Sequence, residues 1–190
     1  MAEHRIQIPQ GVMDPVLFKT GMWFAQRMRQ KWETGQSVLD LGCGAGLLGV
    51  FAQADGLSVT ATDISSKACY AARLNGVRDV RQGYLFDPVL GQKFDHICIN
   101  PPYYRHVRWF TPFKSALVGS DEFVAQLLKL YPSFLTTNGQ FWIATGRGAG
   151  WLEKTLVNAG FTGETENVDG EALTLWVRGQ CEPNNRYATS

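Results

Sequence analysis

Ser37-Val38-Leu39-Asp40-Leu41 is a short apolar run that passes straight into glycines at alternate positions, Gly42, Gly44 and Gly46, and then into the apolar stretch Leu47 to Ala54. A strand, a glycine turn and a helix in that order leave few folds open to a chain. Alternate glycines let the backbone turn sharply and let a ligand approach closer than any side chain would permit. Without a ligand, the same residues read as a plain tight turn.

The remaining segments repeat the alternation. Asp14 followed by Pro15 starts a helix that runs to about Trp32, because aspartate caps free amides and proline suits the first helical turn. Leu57 to Thr62 reads as a strand, Ser65 to Asn75 as a helix closed by Gly76, and Val80 to Tyr84 as a weaker strand. Phe94 to Ile99 is a fourth strand, cut off by Asn100-Pro101-Pro102, since two prolines cannot continue a ladder. An amphipathic helix from Ser120 to Leu135, a strand from Gln140 to Ala144 and a helix from Gly150 to Ala159 come next. Two strands, Phe161 to Val168 and Ala172 to Val177, close the chain. The order predicts an α/β fold, a seven-stranded mostly parallel sheet with helices on both faces, whose ligands bind outside the carboxyl ends of the strands.

Composition narrows the class further. The 190 residues suit one domain, and 45% hydrophobic with 18% charged residues excludes disorder and fibrous architectures. A formal charge of +1 denies the chain a broad electrostatic grip on phosphate backbones. Cysteines at 43, 69, 98 and 181 form no C-x-x-C pair and read as reduced thiols, while histidines at 4, 96 and 106 lack metal-ligand spacing. With no apolar run of signal-peptide or bilayer-spanning length, a cytoplasmic protein without membrane contact is expected. Residues 1–10 and 182–190 are expected to be loose termini.

Asp40 stands two positions ahead of Gly42, where a diphosphate would be a poor neighbour and a cationic or amino-bearing ligand a good one. The glycines run G-x-G-x-G, unlike the dinucleotide spacing G-x-G-x-x-G. Val38 through Gly46 closely resembles the cofactor loop of class I S-adenosylmethionine methyltransferases, a Rossmann-like family. Asp63 ends the second strand about 20 residues beyond the glycines, the spacing at which a carboxylate accepts the ribose hydroxyls of an adenosine cofactor. Its other reading is a cap for the helix starting at Ser65. Ile64, next in the chain, is counted with it in the cofactor site.

Cys98-Ile99-Asn100-Pro101-Pro102-Tyr103-Tyr104 joins a rigid turn to an amide and an aromatic ring. It resembles motif IV of methyltransferases that act on amino nitrogens conjugated to a planar system. Such a nitrogen needs orientation more than a strong base. The side-chain oxygen of Asn100 and the carbonyl of Pro101 can each accept one of its N–H bonds, and Tyr103 can offer a stacking face. Cys98 lies in the apolar run before the turn and reads as a core residue rather than a nucleophile.

The segment Pro112 to Asp121, containing Ala116-Leu117-Val118-Gly119-Ser120-Asp121, resembles the stretch just downstream of this turn in HemK-like glutamine methyltransferases. The resemblance covers residues 11 to 178 and implies that Phe18, Thr20, Asp40, Gly42, Gly44, Gly46, Asp63, Ile64, Leu85, Phe86 and Asn100 hold S-adenosyl-L-methionine. Leu85 and Phe86 would sandwich the adenine, with Tyr84 standing where that family carries an acid and Asp87 able to compensate. It implies a protein or small-molecule acceptor with a planar amide or amino nitrogen. The alternative is an adenine N6-methyltransferase acting on RNA or DNA through Arg105, His106, Arg108 and Trp109, a group that reads equally as a solvated loop. A noncatalytic cofactor-binding protein and a nicotinamide dehydrogenase are the remaining alternatives.

Overall fold

The computed structural model describes residues 6–12, 19–106 and 117–179. Among these, α1 spans Lys19–Met28, β1 Ser37–Leu41, α2 Leu47–Ala54, β2 Ser58–Asp63, α3 Ser66–Leu74, β3 Asp79–Gln82 and β4 Phe94–Ile99. They are followed by α4 Asp121–Leu130, β5 Leu135–Thr145, α5 Gly150–Asn158, β6 Thr162–Val168 and β7 Glu171–Gly179. The strands form one sheet in the order β3-β2-β1-β4-β5-β7-β6. Neighbours from β3 to β5 pair in parallel, and β7 runs antiparallel between β5 and β6. The expected α/β fold is therefore the one observed.

Period-two alternation sends successive strand residues to opposite faces. Val38, Cys98, Trp142 and Ala144 pack under α1, α2 and α3 with Phe24, Leu48 and Ala72. Leu39, Ile97, Ile99, Phe141 and Ile143 face α4 and α5, meeting Val124, Leu127, Leu152 and Leu156. Asp95 ties the far end of the sheet, accepting from the amide and hydroxyl of Ser37 on β1 and from the hydroxyl of Thr136 on β5.

Several boundaries differ from the sequence expectation; α1, expected to run to about Trp32, ends at Met28. The helix expected to reach Leu135 stops at Leu130 and gives way to a 3-10 turn, Tyr131–Phe134. Pro132 has no N–H for the helical ladder, so β5 starts early and runs 11 residues. Strand β3 ends at Gln82 rather than Tyr84: the amide of Gly83 makes the last bond to β2, to the carbonyl of Asp63 at 3.0 Å, and the chain then turns into the 3-10 segment Asp87–Val89. The β6–β7 hairpin closes through Asp169-Gly170, both at positive φ (49° and 81°). This dipeptide is a hairpin signal already present in the sequence. The helix start expected at Asp14-Pro15 lies outside the described residues.

Candidate active site

Strand register brings the functional ends into line. Leu41 pairs with Thr62 on one side and Ile99 on the other, so Gly42, Asp63 and Asn100 leave the sheet side by side. The crevice lies between β1 and β4, where the strand order reverses. It encloses about 590 Å³ out to its open mouth and is lined by Asp40, Gly42, Gly44 and Asn100, with Gly21 and Phe24 from α1.

The three glycines answer different demands. All hold left-handed φ, +72° at Gly42, +54° at Gly44 and +79° at Gly46. A Cβ on Gly42 or Gly44 would meet nothing within 4 Å, which leaves an open cradle at the crevice. A Cβ on Gly46 would sit 2.8 Å from Val77 and 2.9 Å from Ala72, so this glycine is needed for packing.

Asp63 closes the loop onto β2. Its Oδ2 accepts from Gly44 N–H at 3.0 Å and its Oδ1 from Ser65 N–H at 2.8 Å. The side-chain cap of α3 comes from Ser65, whose hydroxyl accepts from Ala68 N–H. Burial raises the Asp63 carboxyl, and the amides of Ser65 and Gly44 oppose the rise. Asp40 Oδ2 accepts from Gly49 N–H at 3.1 Å, in the first turn of α2. Gly46, the N-cap, has no side chain to offer, so an acid on β1 caps the helix across space. Burial pushes Asp40 up to about 7, against the pull of the Gly49 amide. A desolvated acid with one backbone partner suits a ligand with a cationic end.

Asn100 is half-buried on the crevice wall, and its Oδ1 is buried without a hydrogen-bond partner. An unmet buried acceptor costs about 1–3 kcal/mol, which a donating ligand would recover. Pro101 beside it is buried.

Tyr103 is not the open stacking face expected. It is 8% exposed, its ring lies 5.2 Å from that of Tyr104, and its hydroxyl stands 3.4 Å from the hydroxyl of Thr20 on α1. The chain after β5 closes over it: a Cβ at Gly146 would lie 3.1 Å from the Tyr103 hydroxyl. Burial pushes the phenol up to about 12, so it is neutral. Tyr104, half-buried, is the more accessible ring.

Leu85 and Phe86 also depart from the expected adenine sandwich. Phe86 is 1% exposed and stacks on Phe134 at 4.4 Å, inside the core beneath α4. Leu85 is buried in the same cluster, with φ +44°. Two apolar side chains in a tight turn were drawn to the core rather than left at its rim. Ile64 stands 66% exposed beside Asp63. Tyr84 donates its hydroxyl to Gln126 on α4 at 2.9 Å, and Asp87 opens a 3-10 turn with Pro88.

Arg105 is already engaged. Its guanidinium lies 3.6 Å over the Trp151 ring and pairs with Asp121 in the first turn of α4. In the free protein the guanidinium thus has a structural role in holding the turn after β4. His106 is exposed; Phe18, Arg108 and Trp109 lie outside the described residues, as do Pro112 to Ala116, His4 and Cys181. His96 is buried in β4, where Nδ1 accepts from Trp142 Nε1–H at 3.0 Å and Nε2–H donates to Gln36 at 2.9 Å. Cys43, Cys69 and Cys98 are buried free thiols.

Sequence reasoning missed Phe24 and Trp151. Trp151 Nε1–H donates to the carbonyl of Tyr103 at 2.6 Å and so pins the turn after β4. No local signal marks these residues, because each acts on a loop distant in the chain.

These features define an α/β domain with an open glycine cradle at the end of β1 and a buried, unpartnered amide oxygen at the end of β4. The model of the methyltransferase small domain family matches residues 19–169. The chain belongs to that family, and its cofactor is S-adenosylmethionine. It is 26% identical over 136 residues to ribosomal RNA small subunit methyltransferase C of Alcanivorax borkumensis, covering 67% of this chain and 38% of that protein. It is 39% identical over 98 residues to ribosomal protein L11 methyltransferase of Burkholderia thailandensis, covering 46% of this chain and 32% of that protein. The matches thus span about a third of those relatives. Its fold matches that of the ribosomal protein L11 methylase of Lactobacillus delbrueckii subsp. bulgaricus, with TM-score 0.64, 20% identity, and 93% of this chain and 86% of that chain covered.

Proposed function

We propose that this chain transfers a methyl group from S-adenosylmethionine to a nitrogen conjugated to a planar system, in an amide or an aryl amine. The observation that carries the reading is Asn100 Oδ1, a buried acceptor without a donor, on the wall that also holds the glycine loop. The bound cofactor supplies an electrophilic methyl on a sulfonium. Asp40 would face its cationic end, Asp63 would accept from its ribose hydroxyls, and Ile64, exposed beside Asp63, would offer an apolar contact next to them. Thr20 fixes Tyr103 from α1, keeping the wall of the site closed.

Asn100 Oδ1 and the carbonyl of Pro101 each accept one N–H of the acceptor, drawing its nitrogen toward tetrahedral geometry and aiming the lone pair at the methyl. As the new N–C bond formed, the C–S bond of the sulfonium would break and S-adenosylhomocysteine would leave; the positive charge passing to nitrogen would be eased by the two accepting oxygens until a proton is lost to solvent. With Tyr103 buried, Tyr104 provides the accessible ring beside the acceptor. A HemK-like glutamine side chain fits this chemistry. The reading in which the acceptor is a base in RNA draws support from the Alcanivorax relative, which is named for ribosomal RNA and aligned over 67% of the chain.

Incubating the protein and labelled cofactor with a lysate, then dividing the product by protease and nuclease, separates the two acceptors. Asn100→Ala is expected to lower turnover about a hundredfold, the loss of one transition-state hydrogen bond, with cofactor affinity within about twofold of wild type. Wild-type turnover by a folded Asn100→Ala protein would reduce the turn to a structural feature.

A further inference from the structure

The glycine loop is held from two sides, and one of them lies outside the crevice. Toward the sheet, the amides of Gly42 and Cys43 donate to Thr62 O and that of Gly44 to Asp63. On the outer side, the carbonyl of Ala45 accepts from Asn75 Nδ2 at 2.9 Å, and Ala45 is buried with Val12 and Ala71. Asn75 is the C-cap of α3. It also donates from Nδ2 to the carbonyl of Gln7 at 2.8 Å and accepts Gln7 N–H on Oδ1 at 2.7 Å. One side-chain amide thereby uses both hydrogens and its oxygen. It pairs with the Gln7 peptide as a neighbouring strand would, and holds the loop by the same group. Ile6 and Ile8 pack around Val12 and Ala45, and the segment turns through Val12 N–H to Pro9 O at 3.1 Å.

We propose that Asn75 is a positioning residue for the cofactor site, and that residues 6–12 form a strap which, through Asn75 and Val12, holds the glycine loop in its binding conformation. The proposal rests on the reading that this loop receives S-adenosylmethionine. None of residues 6–12 lines the crevice, so their influence passes through Ala45. A loop with three left-handed glycines in five residues is costly to order, and ordering it before the ligand arrives lowers the entropy lost on binding. The geometry is specific to asparagine: aspartate lacks both donors, and glutamine carries the amide one methylene too far.

The test is calorimetric titration of the full chain with S-adenosylhomocysteine, using Asn75→Asp, Asn75→Ala and Val12→Ala. Gln53→Ala is the control. Gln53 makes a similar two-point clamp on the turn after α3, to Gly76 O at 2.9 Å and from Arg78 N–H at 3.0 Å, without touching loop or strap. The Asn75 variants are expected to bind about tenfold more weakly, while Gln53→Ala binds like wild type at a comparable loss in Tm. Hydrogen exchange of the amides at 43–46 is expected to quicken in ligand-free Asn75→Ala and not in Gln53→Ala. Wild-type affinity in the Asn75 variants, or a loss no larger than that of Gln53→Ala, overturns the proposal. If the unaltered protein fails to bind, the cofactor reading falls, and the exchange comparison in the free protein decides the strap by itself.

Discussion

Asp40 is a buried acid with a single backbone partner, and its titration is set by that environment. Burial pushes it up to about 7, so in the free protein near neutrality a fraction of the molecules carry the proton. A cation placed beside it lowers that value. Binding of S-adenosylmethionine is therefore expected to release protons between about pH 6 and 7.5, with affinity rising with pH across that range. Titration in two buffers of different ionisation enthalpy measures the release, and Asp40→Asn should abolish it while keeping an oxygen for the Gly49 amide. Proton uptake, or none, would remove Asp40 from the cationic end of the ligand. Gly42 and Gly46 make a second contrast at this scale. Gly42→Ala should cost about 1 kcal/mol in stability from its left-handed φ, and should weaken cofactor binding by filling the open cradle. Gly46→Ala adds steric overlap with Val77 and Ala72 and should cost about 2–4 kcal/mol, read from urea unfolding.

Among the elements, the turn after β4 depends on parts that arrive from both sides. Trp151, in the first turn of α5, holds the Tyr103 carbonyl; Arg105 lies on that indole and pairs with Asp121 of α4. Tyr104 bonds Leu117 O with its amide and Gly119 N–H with its carbonyl, at 2.9 and 3.0 Å. A Cβ on Gly119 would come within 2.1 Å of Pro102 O, so only glycine allows that approach. Because Arg105 is more than a third exposed, its pair and its ring contact are each worth at most about 1 kcal/mol. Arg105→Ala is expected to lower stability by about that amount and to leave any salt dependence of RNA binding unchanged. A salt slope flattened in Arg105→Ala would return the residue to phosphate contact. Helix α1 and the turn after it are likewise fixed from afar, by Trp23 to Glu166 and by Arg27 and Lys31 to Glu164, all on β6.

For the whole molecule, stability against pH includes opposed contributions from buried groups, His96 on one side and Asp40, with Asp63, on the other. Burial lowers His96, so its contribution is present above its ordinary value of 6.5 and is lost as pH falls through the lower folded value. Asp40 is raised, so its contribution is present below 3.8 and is lost as pH rises through about 7. Between about pH 4 and 6.5 the two oppose each other. Asp40→Asn should therefore lose more stability than wild type on going from pH 7 to pH 5, read from urea midpoints at each pH. Parallel slopes in the two proteins would show that Asp40 does not titrate in this range.

Element order was legible from the sequence because it depends on local patterns: the apolar run of Ser37 to Leu41, the three glycines, the stop at Asn100-Pro101-Pro102. The alignment of Gly42, Asp63 and Asn100 at one end of the sheet came from the same order, since parallel strands separated by helices present their carboxyl ends together. Other features rest on partners far along the chain. Tyr103 is buried by Thr20, 83 residues earlier, and its carbonyl is held by Trp151, 48 residues later. Phe86 turned inward because Phe134 offered it a stacking face, and Arg105 was taken by Trp151 and Asp121. The sequence alone determined which residues stand at the ends of strands, a matter of short-range propensity. Which of them keep a free polar atom or an open ring for a ligand was decided only by tertiary packing, because a side chain's exposure depends on which neighbours the fold brings against it.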